Sequence, residues 1–295
     1  MTEGSEIPGR YNEDLVQILN HRFEDYDSIS IADLNAGNFS MFRRLAPKIR
    51  ANQVWLLVDD DEERLTYLRE SLQAWAERNH WQFFPEEDEY FAIVAGRYTW
   101  RGGIKLIPKK EWFTQLNFSG IRLLVSSRFL EYQTEYWLRE LLTHCSEHDT
   151  AVYFTNSYSG QFRWIPSDVK DSTILAAWHR SRRKMIGDNN SILADRAPYH
   201  LLHEASKLGY ETFLNKYLKS FGKNDDGFIL KQISLMESEV KAVIKEDSYK
   251  TLERWISRKR YTVSGGATRM EMGLADVLAL PTKEEKPSEP VPRFE

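Results

Sequence analysis

SISIADLNAGNFSMFRRLAP (residues 28–47) and VWLLVDDD (residues 54–61) decide how this chain folds. In the first stretch, Ser28–Leu34 alternates and is rich in Ile, which predicts a strand. Asn35–Asn38 (NAGN) is turn chemistry, and Ser40–Ile49 places Met41, Phe42, Leu45 and Ile49 at helical spacing. In the second stretch, Val54–Val58 is a continuous apolar run, as in a parallel strand buried on both faces. Asp59, Asp60 and Asp61 end it, and Glu62–Arg78 follows as an amphipathic helix on Leu65, Leu68, Leu72, Trp75 and Ala76.

Working outward, Asn12–Phe23 reads as a helix, Ile121–Val125 as a buried strand, Thr134–His144 as a helix and Ala151–Phe154 as a strand. Thr173–Lys184 and Tyr199–Leu208 are further helices. Trp81–Leu106 is ambiguous, with β-like pieces at Tyr90–Val94 and Ile104–Ile107 around Gly102–Gly103. Strands alternating with helices mean βαβ units. The fold class expected is therefore α/β: a Rossmann-like, doubly wound, mostly parallel sheet with helices on both faces. A single domain is expected over residues 11–281, with a loose polar leader at 1–10 and a disordered Pro- and charge-rich tail at 282–295.

Composition narrows the partners. The 295 residues are 41% hydrophobic with a net charge of −4, so global charge points neither to nucleic acid nor to an anionic membrane. No apolar run approaches the length needed to span a bilayer. A lone cysteine, Cys145, excludes an intrachain disulfide and a Cys-based zinc cluster and fits a reduced cytoplasm. Aromatic residues make up 13% of the chain, with nine Trp, and the spacing of Trp75, Tyr136 and Trp137 reads as core. His144 and His148, and His200 and His203, read as surface or helix-face residues and not as a metal set.

The chemistry concentrates at the first turn. Gly37 and Asp59 are 22 residues apart. A nucleoside needs a close backbone approach after the first strand and an acid after the second to accept from ribose hydroxyls, about 20 residues on. The turn is not GxGxxG, which counts against a dinucleotide pyrophosphate. An NAD(P)-dependent oxidoreductase is the weakest reading, with no hydride-transfer signature beside it. Taken singly, Asp33 and Asn35 are also ordinary turn residues, and Asp59 is also a helix-capping acid.

These segments resemble the class I, seven-strand S-adenosylmethionine-dependent methyltransferases, and within them a bacterial branch of the form DLGAGTGSNLRYLAP…WLLVDHD. ADLNAGNFSMFRRLAP (Ala32–Pro47) and VWLLVDDD (Val54–Asp61) match it, as do LLVSSRFLEYQTEYWL (Leu123–Leu138), the stretch Tyr153–Lys184 and MEMGLADVLALP (Met270–Pro281). The resemblance covers residues 15–281. It implies S-adenosylmethionine as cofactor and a small-molecule acceptor. Asp33 would contact the methionyl amino end through water, and Asn35 and Gly37 would lie along the methionine and ribose. Asp59 would hold the ribose hydroxyls, and Ser126 and Ser127 would line the place of methyl transfer. Ser126 and Ser127 are otherwise turn residues. Asn35 and Phe39 replace family glycines, and Ile107-Pro108-Lys109-Lys110 lacks the acid often found near the adenine. Those departures motivate a rival: a non-catalytic binding or scaffold protein with an eroded cofactor site. The basic runs Arg180–Lys184 and Arg258–Arg260 read first as a helix end and as solvated surface, and second as anion sites.

Overall fold

A computed structural model describes residues 13–37, 39–62, 68–87, 90–183 and 190–282. The leader at 1–10, all of the tail beyond Thr282, Lys184, and Leu65 of the helix expected from Glu62 lie outside them. Among the described residues nine strands form one sheet: β1 (Ser28–Leu34), β2 (Asn52–Asp59), β3 (Gln82–Pro85), β4 (Tyr90–Ala95), β5 (Tyr98–Leu106), β6 (Leu123–Ser127), β7 (Ala151–Ile165), β8 (Tyr210–Phe221) and β9 (Arg269–Pro281). Their order is β3-β4-β5-β2-β1-β6-β7-β9-β8. The five central strands, β5-β2-β1-β6-β7, are parallel. β9 runs antiparallel between β7 and β8, and β3-β4 is an antiparallel extension of the other edge. The expected mostly parallel, doubly wound sheet is what forms.

The helices are α1 (Glu13–Arg22), α2 (Ser40–Leu45), α3 (Leu68–Arg78), α4 (Trp112–Gln115), α5 (Glu135–Glu147), α6 (Asp171–Arg182), α7 (Ala197–Lys207), α8 (Asp226–Lys241) and α9 (Tyr249–Ser264). The alternation of β1 sorts its side chains between two cores. Ile29 and Ile31 join Leu15, Phe42 and Trp55 on the α1–α3 face, and Ala32 and Leu34 join Leu138, Leu142 and Leu201 on the α5–α7 face. A third cluster, Trp164, Trp178, Ile233 and Trp255 among it, lies where α6, α8 and α9 pack on the outer halves of β7, β8 and β9.

Three local expectations are corrected. Helix α2 ends at Leu45 and gives way to a 3-10 turn at Ala46–Lys48, because Pro47 cannot donate to a continuing helix. β7 does not stop at Phe154 but runs to Ile165, carried through its polar stretch by pairing with β9 across two register shifts. Ser126 and Ser127 are the last residues of β6 and not a turn beyond it.

The ambiguous stretch resolves into the β4–β5 hairpin. Gly102 and Gly103 lie inside β5, opposite Phe91 and Tyr90. Their missing side chains are filled by those two rings. A Cβ on Gly102 would come within 2.6 Å of Phe91 Cε1. Phe91 is itself fully buried against Phe42 and Phe83, so it has nowhere to move. Gly102→Ala is therefore expected to cost roughly 1–3 kcal/mol of stability, measured as a lowered denaturant midpoint with unchanged slope.

Candidate functional site

From β1 the chain proceeds outward to β2 on one side and later to β6 and β7 on the other. The crevice at the carboxyl ends of β1 and β6 is thus a topological switch point, where open α/β sheets bind ligands. Asp33, Asn35, Gly37, Asp59, Ser126 and Ser127 all lie at the carboxyl ends of β1, β2 and β6.

The turn after β1 is built on left-handed backbone: Asn35, Gly37 and Phe39 have φ of 60°, 57° and 58°. Asn tolerates this conformation and Gly adopts it freely, whereas Phe carries strain. Phe39 is held there by complete burial in the α1–α3 core, where its ring fills space beneath the turn. A Cβ on Gly37 would meet only Asn35 O, at 3.7 Å, so the backbone is open to close approach on that side. The Ala36 amide donates to Val58 O at 2.9 Å, which ties the turn to the end of β2.

Two carboxylates face this turn. Asp59 is fully buried. One of its oxygens accepts from the Gly37 amide at 2.7 Å, and the other from the Asp60 and Asp61 amides at 2.9 and 3.1 Å. It holds the two strand ends together through their backbones. Asp33 is 1% exposed, and its Oδ2 has no hydrogen-bond partner among the described residues. Burial, reinforced by the charge of Asp59, raises its carboxyl well above the usual carboxylate range.

On the other side of the crevice, Ser126 Oγ donates to Leu34 O at 2.6 Å and is fully buried, so this hydroxyl braces β1 against β6. Ser127 is half-buried, and its Oγ accepts from Asn156 Nδ2 at 3.0 Å. The loop after β5 brings Lys109 to Asp60, 3.1 Å away, with its ammonium 5.8 Å from the centre of the Phe129 ring. Lys109 therefore sets a cation beside Asp60 at this edge.

Two groups of residues near this edge carried no signal in the sequence. The first joins β7, β8 and β9. Asn156 has a left-handed φ of 56°, and its amide donates to Asp276 Oδ1 at 2.7 Å. The Tyr217 hydroxyl lies 2.9 Å from Asn156 Oδ1 and 3.2 Å from Asp276 Oδ1. Burial lifts the Asp276 carboxyl to about 6, against the pull of those hydrogen bonds and of Arg44. The second group joins β7, α6 and the 3-10 turn Ala194–Arg196. The Tyr158 hydroxyl is 2.8 Å from His179 Nε2, His179 Nδ1 is 3.8 Å from Asp195, and Arg183 clasps Asp195 with two bonds. Burial holds His179 below the ordinary imidazole value despite Asp195.

The basic runs are largely absorbed by the fold. Arg182 lies over the Trp178 and Tyr132 rings, and Arg183 is held by Asp195. Arg258, Lys259 and Arg260 pair with Asp168, Asp171 and Glu237. Among the described residues no set of three or more His, Cys, Asp or Glu is placed to hold a metal ion, and no helix is long and apolar enough to cross a membrane. Cys145 is buried, and burial pushes its thiol upward.

No protein-family model matches the chain, and no curated protein matches it in sequence. Solved structures do resemble it. A cyclopropane-fatty-acyl-phospholipid synthase-like protein from Lactobacillus casei ATCC 334 superposes with a TM-score of 0.50 at 12% identity, over 91% of this chain and 90% of that one. A precorrin-6y C5,15-methyltransferase from Geobacter metallireducens GS-15 gives a TM-score of 0.42 at 9% identity, over 95% and 93%. The likeness to the Lactobacillus protein is one of fold: the chain has the Rossmann-like α/β architecture that its sequence motifs implied.

Proposed function

We propose that this protein is an S-adenosylmethionine-dependent methyltransferase acting on a small-molecule acceptor. One observation carries the reading: the fully buried, unpartnered Oδ2 of Asp33, beside Asp59, at the open left-handed turn that ends the central strand. Leaving a buried acceptor unpaired costs roughly 1–3 kcal/mol, and such costs concentrate at functional sites. Two neighbouring carboxyl groups favour a cofactor bearing positive charge, here an ammonium and a sulfonium, and would repel the pyrophosphate of a dinucleotide.

The residues fit that cofactor. Asp33 would take the ammonium end, directly or through a water. The Asn35–Gly37 backbone would lie along the aminopropyl chain and ribose, and Asp59 would meet the ribose hydroxyls with the accepting capacity that its backbone bonds leave. Bound there, S-adenosylmethionine supplies an electrophilic methyl group. The protein's part is orientation, since in-line displacement rewards correct placement above all. Ser126 fixes the spacing of β1 and β6, and Ser127, held by Asn156, presents a hydroxyl at the transfer edge.

The rival reading, a methyltransferase fold kept as a non-catalytic binding protein, is favoured by Asp59. Its carboxylate is 0% exposed and already engaged by three backbone amides. Calorimetric titration tests the first reading, and turnover of the bound cofactor across an acceptor panel separates it from the second. Wild-type protein is expected to bind both S-adenosylmethionine and S-adenosylhomocysteine at micromolar ligand, and an absence of heat at millimolar ligand would leave only the rival.

A further inference from the structure

The carboxyl edge of the sheet is acidic at β1 and β2 but basic a few strands away. Arg44 comes from α2, Arg128 from the turn directly after β6, and Lys219 from β8. Each is half-buried. Their convergence follows from the local structure. On α2, Arg44 lies one turn beyond Met41, whose Sδ is 3.6 Å from Thr155 Oγ1 in the first half of β7, so this helix face turns toward β7. Arg128 is left-handed, with φ of 53°, and its amide is fixed by Thr155 O at 3.0 Å. Lys219 lies two residues beyond Tyr217 on β8, on the same strand face.

The three cations thus lie beside one polar floor: Arg128 follows Ser127, Lys219 shares a strand face with Tyr217, and Asp276 feels the charge of Arg44. The floor is made by the Ser127 hydroxyl, the Asn156 amide, the Tyr217 hydroxyl and the Asp276 carboxyl, joined by hydrogen bonds of 2.7 to 3.2 Å. Electrostatics agrees with the placement. Burial, then Arg44 and Arg128, bring the Lys219 ammonium down to about 8, with Asp225 pulling the other way. Arg44 also acts on Asp276. All three cations make other contacts within the fold, and it is their convergence that marks the spot. Three half-buried cations gathered at one place raise the positive potential there, which favours the approach of an anionic group.

From this arrangement we infer that the acceptor is a small anionic molecule, with its carboxylate or phosphate group held by Arg44, Arg128 and Lys219 over the Ser127–Asn156–Tyr217–Asp276 floor. The acceptor role rests on the methyltransferase reading, whereas the anion site stands on its own. The floor offers both donors and acceptors, so the uncharged polar part of the acceptor would meet Ser127 and Asn156, next to the crevice at β1 and β6. The charged end would lie toward β8.

The test uses the full chain, with and without S-adenosylhomocysteine, at ionic strength held constant with sodium chloride. Citrate probes for a carboxylate site and pyrophosphate for a phosphate site, each followed by calorimetry and by the melting temperature. Arg44→Gln, Arg128→Gly (suited to the left-handed backbone) and Lys219→Gln are compared with Lys231→Gln, an exposed lysine on α8. The expected result is saturable binding of one anion, weakened about tenfold or more by each of the three substitutions. Binding should be unchanged in Lys231→Gln, with S-adenosylhomocysteine affinity retained throughout. Equal anion binding by wild type and the three variants, or none by wild type, would overturn the site. Variant-sensitive binding of polyuridylate without binding of either small anion would overturn it in favour of nucleic acid. Anion binding that survives when S-adenosylhomocysteine fails to bind would overturn the acceptor role alone.

Discussion

Asp33→Asn is expected to weaken S-adenosylhomocysteine binding by roughly 10- to 150-fold, the worth of a hydrogen bond to a charged group, while making the protein more stable at neutral pH. Both effects follow from one geometry. Asp33 is buried with an unpartnered oxygen and faces the charge of Asp59. The amide keeps the shape of the carboxylate and removes its charge, which relieves the cost of burial and takes away the group that would meet an ammonium.

The direction of the pH effect follows from linkage. Asp33 has its carboxyl raised in the folded state, so the folded protein keeps this proton to higher pH than the unfolded chain does. Below the unfolded value of about 4 both states are protonated and the residue carries no penalty. As pH rises from there through the folded value, stability is progressively lost. The gain from Asp33→Asn should therefore be present at pH 7 and vanish near pH 4. Melting temperatures of wild type and variant across that range are the measurement. Parallel curves would show that Asp33 is not a buried ionisable cost, and unchanged S-adenosylhomocysteine affinity would remove it from the cofactor site.

The largest loss of stability is expected from Phe42→Ala, about 3–5 kcal/mol, the range for deleting a fully buried ring. Phe42 is the hub of an aromatic cluster on the α1–α3 face. Its ring lies edge-on to Trp55, Trp75, Phe91 and Trp100, at centroid distances of 5.0, 5.8, 5.7 and 6.3 Å. These four rings come from β2, α3, β4 and β5, so none can collapse into the cavity without moving its own element. Phe42→Leu should recover about half of the loss. Urea unfolding followed by tryptophan fluorescence reads both, and a Phe42→Ala cost under about 1 kcal/mol would contradict this packing. Because Phe42 follows the Asn35–Phe39 turn by three residues, the same variant should also loosen the cofactor turn.

Much of this was legible along the chain because the signal was local. The runs ISIADL, VWLLV and RLLV declare strands through continuous apolar character, and Asp33, Gly37 and Asp59 are found by their spacing about those strands. The remainder was hidden by specific physics. Gly102 and Gly103 disguise β5, since glycine reads as a breaker until Phe91 and Tyr90 are known to fill the space opposite. The outer half of β7 is polar and Gly-containing, and its strand character comes from β9 alongside it. β8 alternates weakly at the sheet edge, with Leu218 over half exposed.

The candidate site divides in the same way. Its cofactor half is a strand, a turn and the next strand, contiguous enough for sequence to specify. By contrast, the charge state of Asp33 depends on burial. Asp59 is engaged by amides of its own turn and of Gly37, and Ser126 is given over to Leu34. None of these is a property of residue type. The proposed acceptor half draws on Arg44, Ser127, Arg128, Asn156, Tyr217, Lys219 and Asp276, which are spread over most of the chain; Tyr217, Lys219 and Asp276 reach the others because β9 inserts antiparallel between β7 and β8. What the sequence by itself determined was the α/β layering and the turn that faces a ligand, since hydrophobic periodicity and backbone freedom are local quantities. Tertiary structure alone decided which carboxylates are strained, which hydroxyls remain available and where positive charge converges, since burial and electrostatics depend on what the fold brings within a few ångströms.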